Sequence, residues 1–359
     1  MKVGGILADS GVDLLSLTRD ELITELAGLG EPGFRATQLC RWVYERRART
    51  FSEMTDLPAS LRGNFTAQFS LRPLTKLREA GSKDTTRKFL FRLDDSQMVE
   101  TVLIPASPAL YGGKADRRTV CISSQVGCAY GCKFCASGLD GFKRNLTAGE
   151  IVAQFLAVEE HSQEKANNIV FMGMGEPFAN YDNLLKAIAI LNAPWGLGLG
   201  ARSMTVSTSG LVPRIRDFAK QPLQVRLAIS LHGATDEVRC KIMPVNRKYP
   251  LAELLSACEY YSSRKKQRIT FEYIMIRGVN DTEEQALALA AHATRLKAKV
   301  NLIPYNRVDG LDWQRPSEAT QERFLNFLRR HNLAVTLRRE KGHDIAAACG
   351  QLRLQGARN

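Results

Sequence analysis

From about residue 117 to residue 331, short runs rich in β-branched and aromatic residues alternate six times with longer stretches whose apolar residues recur at helical spacing. The pairs are TVCISS with LTAGEIVAQFLAVEE, NIVFMGM with NLLKAIAIL, SMTVSTS with VPRIRDFAK, QVRLAISLH with LAELLSACEYYSSR, ITFEYIMI with EEQALALAAHATRL, and KVNLIPYN with EATQERFLNFLRRH. Strand and helix in strict alternation predict an α/β fold, a parallel sheet wrapped by helices. The sheet is either a partial or complete (β/α) barrel or an open doubly wound sheet. In both, ligands bind at the C-terminal ends of the strands, so the polar residues ending these runs, Glu176, Ser207, Ser209, His232 and Asn306, are expected to share one pocket. A last strand, LAVTLRR, leads into a tail carrying Cys349.

Residues 16–75 read as helical. LSLTRDELITELAGLG begins at a Thr18 cap and stops at Gly30, and FRATQLCRWVYERR follows as a second helix. TTRKFLFRLDDSQMVETVLIP alternates apolar and polar residues about Asp94-Asp95, which predicts a hairpin. The expected organisation is a small helical module over 1–83, a connecting hairpin over 84–113, the β/α core over 114–340 and a tail over 341–359.

The chain has 359 residues, enough for a sizeable core, and its 44% apolar content excludes an intrinsically disordered protein. No uncharged apolar run approaches the length of a membrane span, and MKVGGILADSGVDLL lacks the features of a secretory leader. A cytoplasmic protein is expected. Fifty Lys and Arg against thirty-seven Asp and Glu leave +13, the charge of a protein with a polyanionic partner, and nucleic acid is the leading candidate. Residues 323–359 hold eight of the cations, among them Arg338, Arg339 and Lys341, against Glu340 and Asp344 alone.

In a reducing compartment eight cysteines are not read as four disulfides. Cys40, Cys240 and Cys258 are scattered and read as small buried hydrophobes. Cys128, Cys132 and Cys135 form C-x3-C-x2-C in the Gly-containing loop GCAYGCKFC, directly after the first strand of the series. Zinc wants a fourth ligand, and Cys121 lies on the preceding strand at an unusual spacing. Three thiolates instead suit a [4Fe-4S] cluster with one iron open to the amine and carboxylate of S-adenosylmethionine. GMGEP, ending the second strand, adds glycines that let backbone approach a ligand and Glu176 to accept from an ammonium group. His232 reads equally as a ligand or as a satisfied structural histidine.

The stretches CISSQVGCAYGCKFCASG, VFMGMGEP, TVSTSG, SLHGATDEVRCKIMPVNRKYP, VNLIPYN and DIAAACGQL, in this order and spacing, resemble the RlmN/Cfr family of radical-SAM RNA methyltransferases. The resemblance runs from about residue 14 to 355. It implies a radical-SAM partial (β/α) barrel with an N-terminal RNA-binding module and a tail that carries the methyl-bearing cysteine. It assigns Cys128, Cys132 and Cys135 to the cluster, and Gly175, Glu176, Ser207, Ser230, Leu231, His232 and Asn306 to S-adenosylmethionine. Pro177 and Pro304 look like the branch that methylates adenine C2 rather than the Cfr branch, which methylates C8. Ala346 departs from the family, which often has Asp there.

By the same resemblance, Cys349 takes a methyl group from one S-adenosylmethionine, and a deoxyadenosyl radical from a second removes a hydrogen from that S-methyl. The carbon radical adds to adenine C2, Glu100 accepts the C2 proton, and Cys121 attacks the Cys349 sulfur, releasing the methylated base and leaving a transient disulfide. Without the resemblance, Glu100 would read as a solvated hairpin residue. The implied substrates are 23S rRNA at the peptidyl-transferase region and tRNA at the adenosine 3′ of the anticodon. A flavodoxin-like electron donor and a monomeric state are expected. The rival readings are a Cfr-type C8 methyltransferase and a non-catalytic, zinc-containing RNA-binding protein.

Overall fold

The computed structural model describes residues 11–71, 74–106, 116–338, 343–347 and 350–352. The N-terminal module holds α1 (Arg19–Gly28), α2 (Phe34–Cys40) and α3 (Ala59–Gln68). Thr18 caps α1 in a reciprocal box: its hydroxyl accepts from the Glu21 N–H at 3.3 Å, and the Glu21 carboxylate accepts from the Thr18 N–H at 2.8 Å. Two short parallel strands, β1 (Val12–Asp13) and β2 (Phe69–Ser70), tie the module's ends together. Leu22, Leu26, Leu39, Phe51 and Phe65 form its interior.

The module seats on the helix that follows the first β/α strand, α4 (Ala148–Ser162). The Gly149 N–H donates to Ser16 Oγ at 2.9 Å, and a β-carbon at Gly149 would stand 2.0 Å from Asp13 Oδ2, so only glycine permits the approach. Arg47 pairs with Glu159 at 2.6 Å and Arg49 with Glu160 at 2.8 Å along the same helix.

The expected hairpin is three-stranded. β3 (Thr75–Gly81), which the helical reading of 16–75 did not anticipate, pairs antiparallel with β4 (Arg87–Arg92), and β4 with β5 (Met98–Pro105). β5 then pairs antiparallel with β6 (Arg118–Cys121), first strand of the β/α series, so the hairpin continues the main sheet. A separate two-stranded ribbon, β7 (Gln125–Gly127) with β8 (Phe142–Asn145), spans the cysteine loop.

The remaining strands are β9 (Asn168–Phe171), β10 (Met204–Thr208), β11 (Arg226–Ser230), β12 (Thr270–Met275), β13 (Lys299–Pro304) and β14 (Val335–Leu337). Between them run α5 (Tyr181–Asn192), α6 (Val212–Lys220), α7 (Asp236–Ile242), α8 (Leu251–Lys265), α9 (Glu283–Leu296) and α10 (Glu318–Arg330). All six expected β/α units form. Their strands pair in parallel in the order β6-β9-β10-β11-β12-β13-β14. A doubly wound sheet reverses its order at a switch point, whereas here each strand lies beside its successor. Successive right-handed crossovers in one direction curl the sheet, and the result is a partial barrel with β14 and β3 as edges among the described residues. No helix among the described residues is long and apolar enough to cross a membrane.

Candidate active site in the barrel

The ribbon β7–β8 holds the cysteine loop over the C-terminal ends of the barrel strands. Cys128, Cys132, Cys135, Glu176, Ser207, Ser209, Ser230 and His232 line one cavity of about 140 Å³ there, with Gly175 and Pro177. The structure thus brings together most of the strand-end residues that the sequence singled out. Asn306 and Leu231 are buried but do not line the cavity.

The three thiols belong to side chains of one loop facing one cavity, a donor set that fits a [4Fe-4S] cluster with an open iron. Burial pushes the Cys128 thiol up to about 11 and Cys132 well above its ordinary range, each also raised by neighbouring thiols. A bound metal cluster would favour their thiolates here.

Glu176 is held before any ligand arrives. Its Oε1 accepts from the Phe178 N–H at 3.0 Å and its Oε2 from the Ser209 N–H at 2.7 Å, while its own N–H donates to Gln125 Oε1 at 2.8 Å. Burial raises its carboxyl against the lowering effect of these hydrogen bonds. Ser207 and Ser230 bring their hydroxyls within 3.3 Å of each other across β10 and β11.

His232 is a hydrogen-bonded structural histidine that also faces the cavity. It lines the cavity, and its Nδ1 accepts from the Ile274 N–H at 3.0 Å, which leaves the proton on Nε2. Burial, with Arg239 adding to it, depresses its pKa to about 3. The ring meets Phe134 of the cysteine loop edge-on, centroids 4.8 Å apart.

Three participants escaped the sequence reading. Arg239, fully buried in α7, donates to Leu231 O at 3.1 Å, Ser209 O at 2.5 Å and Asn246 Oδ1 at 2.8 Å, so one guanidinium fixes the ends of β10 and β11. Its only sequence signal is its place inside SLHGATDEVRC. Glu272, on β12, lies in the cavity wall with its Oε2 accepting from Asn301 at 2.7 Å. Lys88 on β4 pairs with Glu100 Oε1 at 2.9 Å; both side chains are largely buried, so Glu100 is not the solvated residue its local sequence suggests.

Cys349 lies outside the described residues, as do Arg339 and Lys341. Its neighbours on both sides converge on the site. Gly350 O accepts from the Ala136 N–H at 2.7 Å and Leu352 O from Ser137 Oγ at 2.9 Å, both donors immediately following Cys135. Ala347 and Leu352 pack in one apolar cluster with Cys121, Val102 and Met174. Ala346 O accepts from Lys88 Nζ at 3.2 Å, and Ala346 has φ +51°, a left-handed conformation that Asp adopts more readily than Ala. Asp344 accepts from Ser82 Oγ at 2.5 Å. Of the scattered cysteines, Cys40 and Cys258 are buried as expected, whereas Cys240 is half-buried and accepts from Asn246 at 3.1 Å.

Residues 122–290 match the family model of the radical SAM superfamily, and residues 12–71 match that of the ribosomal RNA large subunit methyltransferase N-terminal domain. The chain is 56% identical to a probable dual-specificity RNA methyltransferase RlmN 3 of Opitutus terrae, covering 94% of this chain and 93% of the relative. It is 45% identical to the dual-specificity RNA methyltransferase RlmN of Syntrophotalea carbinolica, covering 96% and 90%. The crystal structure of a radical SAM methyltransferase from Sphaerobacter thermophilus superposes with a TM-score of 0.90 at 45% identity, over 95% of this chain and 99% of that one. The superfamily's chemistry rests on a [4Fe-4S] cluster and S-adenosylmethionine, and the thiols and cavity described above suit both. The chain belongs to the RlmN family of radical SAM RNA methyltransferases.

Proposed function

We propose that this RNA methyltransferase methylates adenine at C2, in 23S rRNA at the peptidyl-transferase region and in tRNA 3′ of the anticodon, through a methyl group carried on Cys349. The observation that carries the reading is the convergence of the tail: residues on either side of Cys349 hydrogen-bond the cysteine loop and pack against Cys121. A carbon between two ring nitrogens is a poor nucleophile, so direct attack on a sulfonium methyl is closed to it. When bound, the cluster supplies the electron that splits S-adenosylmethionine into methionine and a deoxyadenosyl radical.

The chain's own groups then have distinct tasks. The Cys349 thiolate attacks the methyl carbon of a first S-adenosylmethionine. Glu176, Gly175, Ser207, Ser230 and His232 hold the cofactor under the cysteine loop, with Leu231 and Asn306 supporting the strand ends. Glu100, paired with Lys88 at 2.9 Å, takes the C2 proton. The one electron left on the base adduct would return to the oxidised cluster; Cys121 then attacks the Cys349 sulfur, the sulfur–methylene bond breaks with its electron pair going to the product carbon, that carbon takes up a proton to complete the methyl group, and a disulfide forms that external thiols reduce. Pro177, in the cavity wall, and Pro304, ending β13, favour C2 over C8. Relatives named dual-specificity RNA methyltransferases support a reading with two RNA classes. We also propose a flavodoxin-like donor, a monomer and a cytoplasmic location.

The test is nucleoside mass spectrometry of 23S rRNA and tRNA from cells with and without the protein. Loss of 2-methyladenosine from both is expected. Loss of 8-methyladenosine would overturn the C2 reading, and loss from one RNA class alone would remove the other as a substrate.

A further inference from the structure

Glu272 stands in the middle of β12, a strand with parallel neighbours on both sides, where glutamate is a disfavoured residue. Alternation along the strand decides where it points. Tyr273 stacks on Phe324 of α10, centroids 5.6 Å apart, whereas Glu272 and Ile274 line the cofactor cavity inside the barrel. Register sets Glu272 level with Ser230 on β11 and Asn301 on β13, a polar row across three neighbouring strands. Glu272 is only 7% exposed.

Half of this carboxyl group is unused. Its Oε2 accepts from Asn301 Nδ2 at 2.7 Å, and its Oε1 makes no hydrogen bond among the described residues. The other carboxylate in the cavity wall, Glu176, has both oxygens engaged by backbone N–H groups. Burial raises the Glu272 carboxyl above its ordinary range, against the pull of Arg338 and of the Asn301 hydrogen bond. A buried acceptor left open costs free energy unless a ligand supplies the donor. The same cavity is lined by Gly350, the residue after Cys349, and by Met172, which packs against the cluster of Cys121, Ala347 and Leu352. The open oxygen therefore faces the space where cofactor, methyl carrier and target base have to meet.

We infer that Glu272 Oε1 accepts a hydrogen bond from the 6-amino group of the substrate adenine and is a specificity-determining residue for that base. The inference rests on the reading of an RNA adenine as substrate, and is independent of which ring carbon is methylated. Adenine carries a donor at C6, whereas guanine and hypoxanthine carry an acceptor oxygen there, so an acceptor in the wall favours the first and disfavours the other two. Either protonation state of Glu272 leaves an oxygen able to accept. S-adenosylmethionine carries the same amino group and is the competing source of the donor.

The test uses the anaerobically purified holoenzyme and anticodon stem-loop RNAs that differ only in the base 3′ of the anticodon: adenosine, purine riboside, which lacks the amino group, or inosine, which has an oxygen in its place. In single-turnover methyl transfer the parent should prefer adenosine to purine riboside by about tenfold or more. Glu272→Ala should lose at least about tenfold of that preference; the intrinsic reactivity of each ring cancels between the two proteins. Glu272→Gln keeps the side chain's volume and its bond from Asn301 Nδ2. That bond takes the amide oxygen and turns the amide N–H groups toward the base. The ratio of inosine to adenosine transfer should then rise at least about tenfold over the parent. Base ratios within about twofold of the parent in both variants overturn the assignment. If instead the KM for S-adenosylmethionine in RNA-independent cleavage rises about tenfold while the base ratios hold, the carboxyl serves the cofactor's amino group and the inference is overturned. A parent that methylates none of the three RNAs would overturn the adenine reading itself, and this inference with it.

Discussion

Gly175→Ala should strike the cofactor site through the backbone. Gly175 has φ +98°, and a β-carbon there would lie 2.6 Å from Gln125 Cβ, 2.7 Å from its Cγ and 2.9 Å from its backbone N. Forcing an L-residue into the left-handed region costs about 1–2 kcal/mol. Overpacking against backbone costs about 1–3 kcal/mol more, for a total of about 2–5 kcal/mol. Gln125 cannot simply retreat, because its Oε1 accepts from the Glu176 N–H and its Nε2 donates to Asn145 Oδ1, each at 2.8 Å. The displacement therefore reaches Glu176. We expect the melting temperature of the anaerobic enzyme to fall by about 5 °C or more. The KM for S-adenosylmethionine in RNA-independent cleavage should rise at least about tenfold, with kcat less affected. A melting temperature within about 1 °C of the parent, together with a KM within about twofold, would refute the steric argument.

Cys121→Ala removes the thiol proposed to resolve the adduct, so a covalent enzyme–RNA species should accumulate under turnover and be visible on denaturing gels; clean inactivity without an adduct would count against that role. His232, held at about 3 against an ordinary value near 6.5, is neutral in the native state and takes a proton on unfolding. Its contribution is full above about pH 6.5 and is lost as pH falls toward about 3, reaching about 2 kcal/mol by pH 5. His232→Asn should flatten the melting profile between about pH 7 and 5, and equal slopes in the two proteins would disprove the assignment. Lys88→Met breaks both the 2.9 Å pair with Glu100 and the 3.2 Å bond to Ala346 O. It should slow single-turnover methyl transfer by about tenfold or more and open the tail to limited proteolysis, whereas an equally protected tail would show that Lys88 does not anchor it.

What the sequence made legible was local. The Thr18 cap, the six β/α units, the Asp94-Asp95 hairpin and the cysteine loop all rest on periodicity or on residues a few positions apart. The choice between barrel and doubly wound sheet was not local, because it depends on which strands become neighbours. Arg239 reads as one more surface cation until α7 carries it beneath the ends of β10 and β11. Lys88 and Glu100 meet only through the register that sets Lys88 against Val102 and Leu90 against Glu100. β3 was hidden because TKLREAG is polar and largely exposed, with little apolar alternation to mark it.

The hydrogen bonds from Ala136 and Ser137 to Gly350 and Leu352 make the carrier segment a lodger of the cysteine loop. A cysteine loop that shifted on losing its metal would carry Gly350 and Leu352 with it.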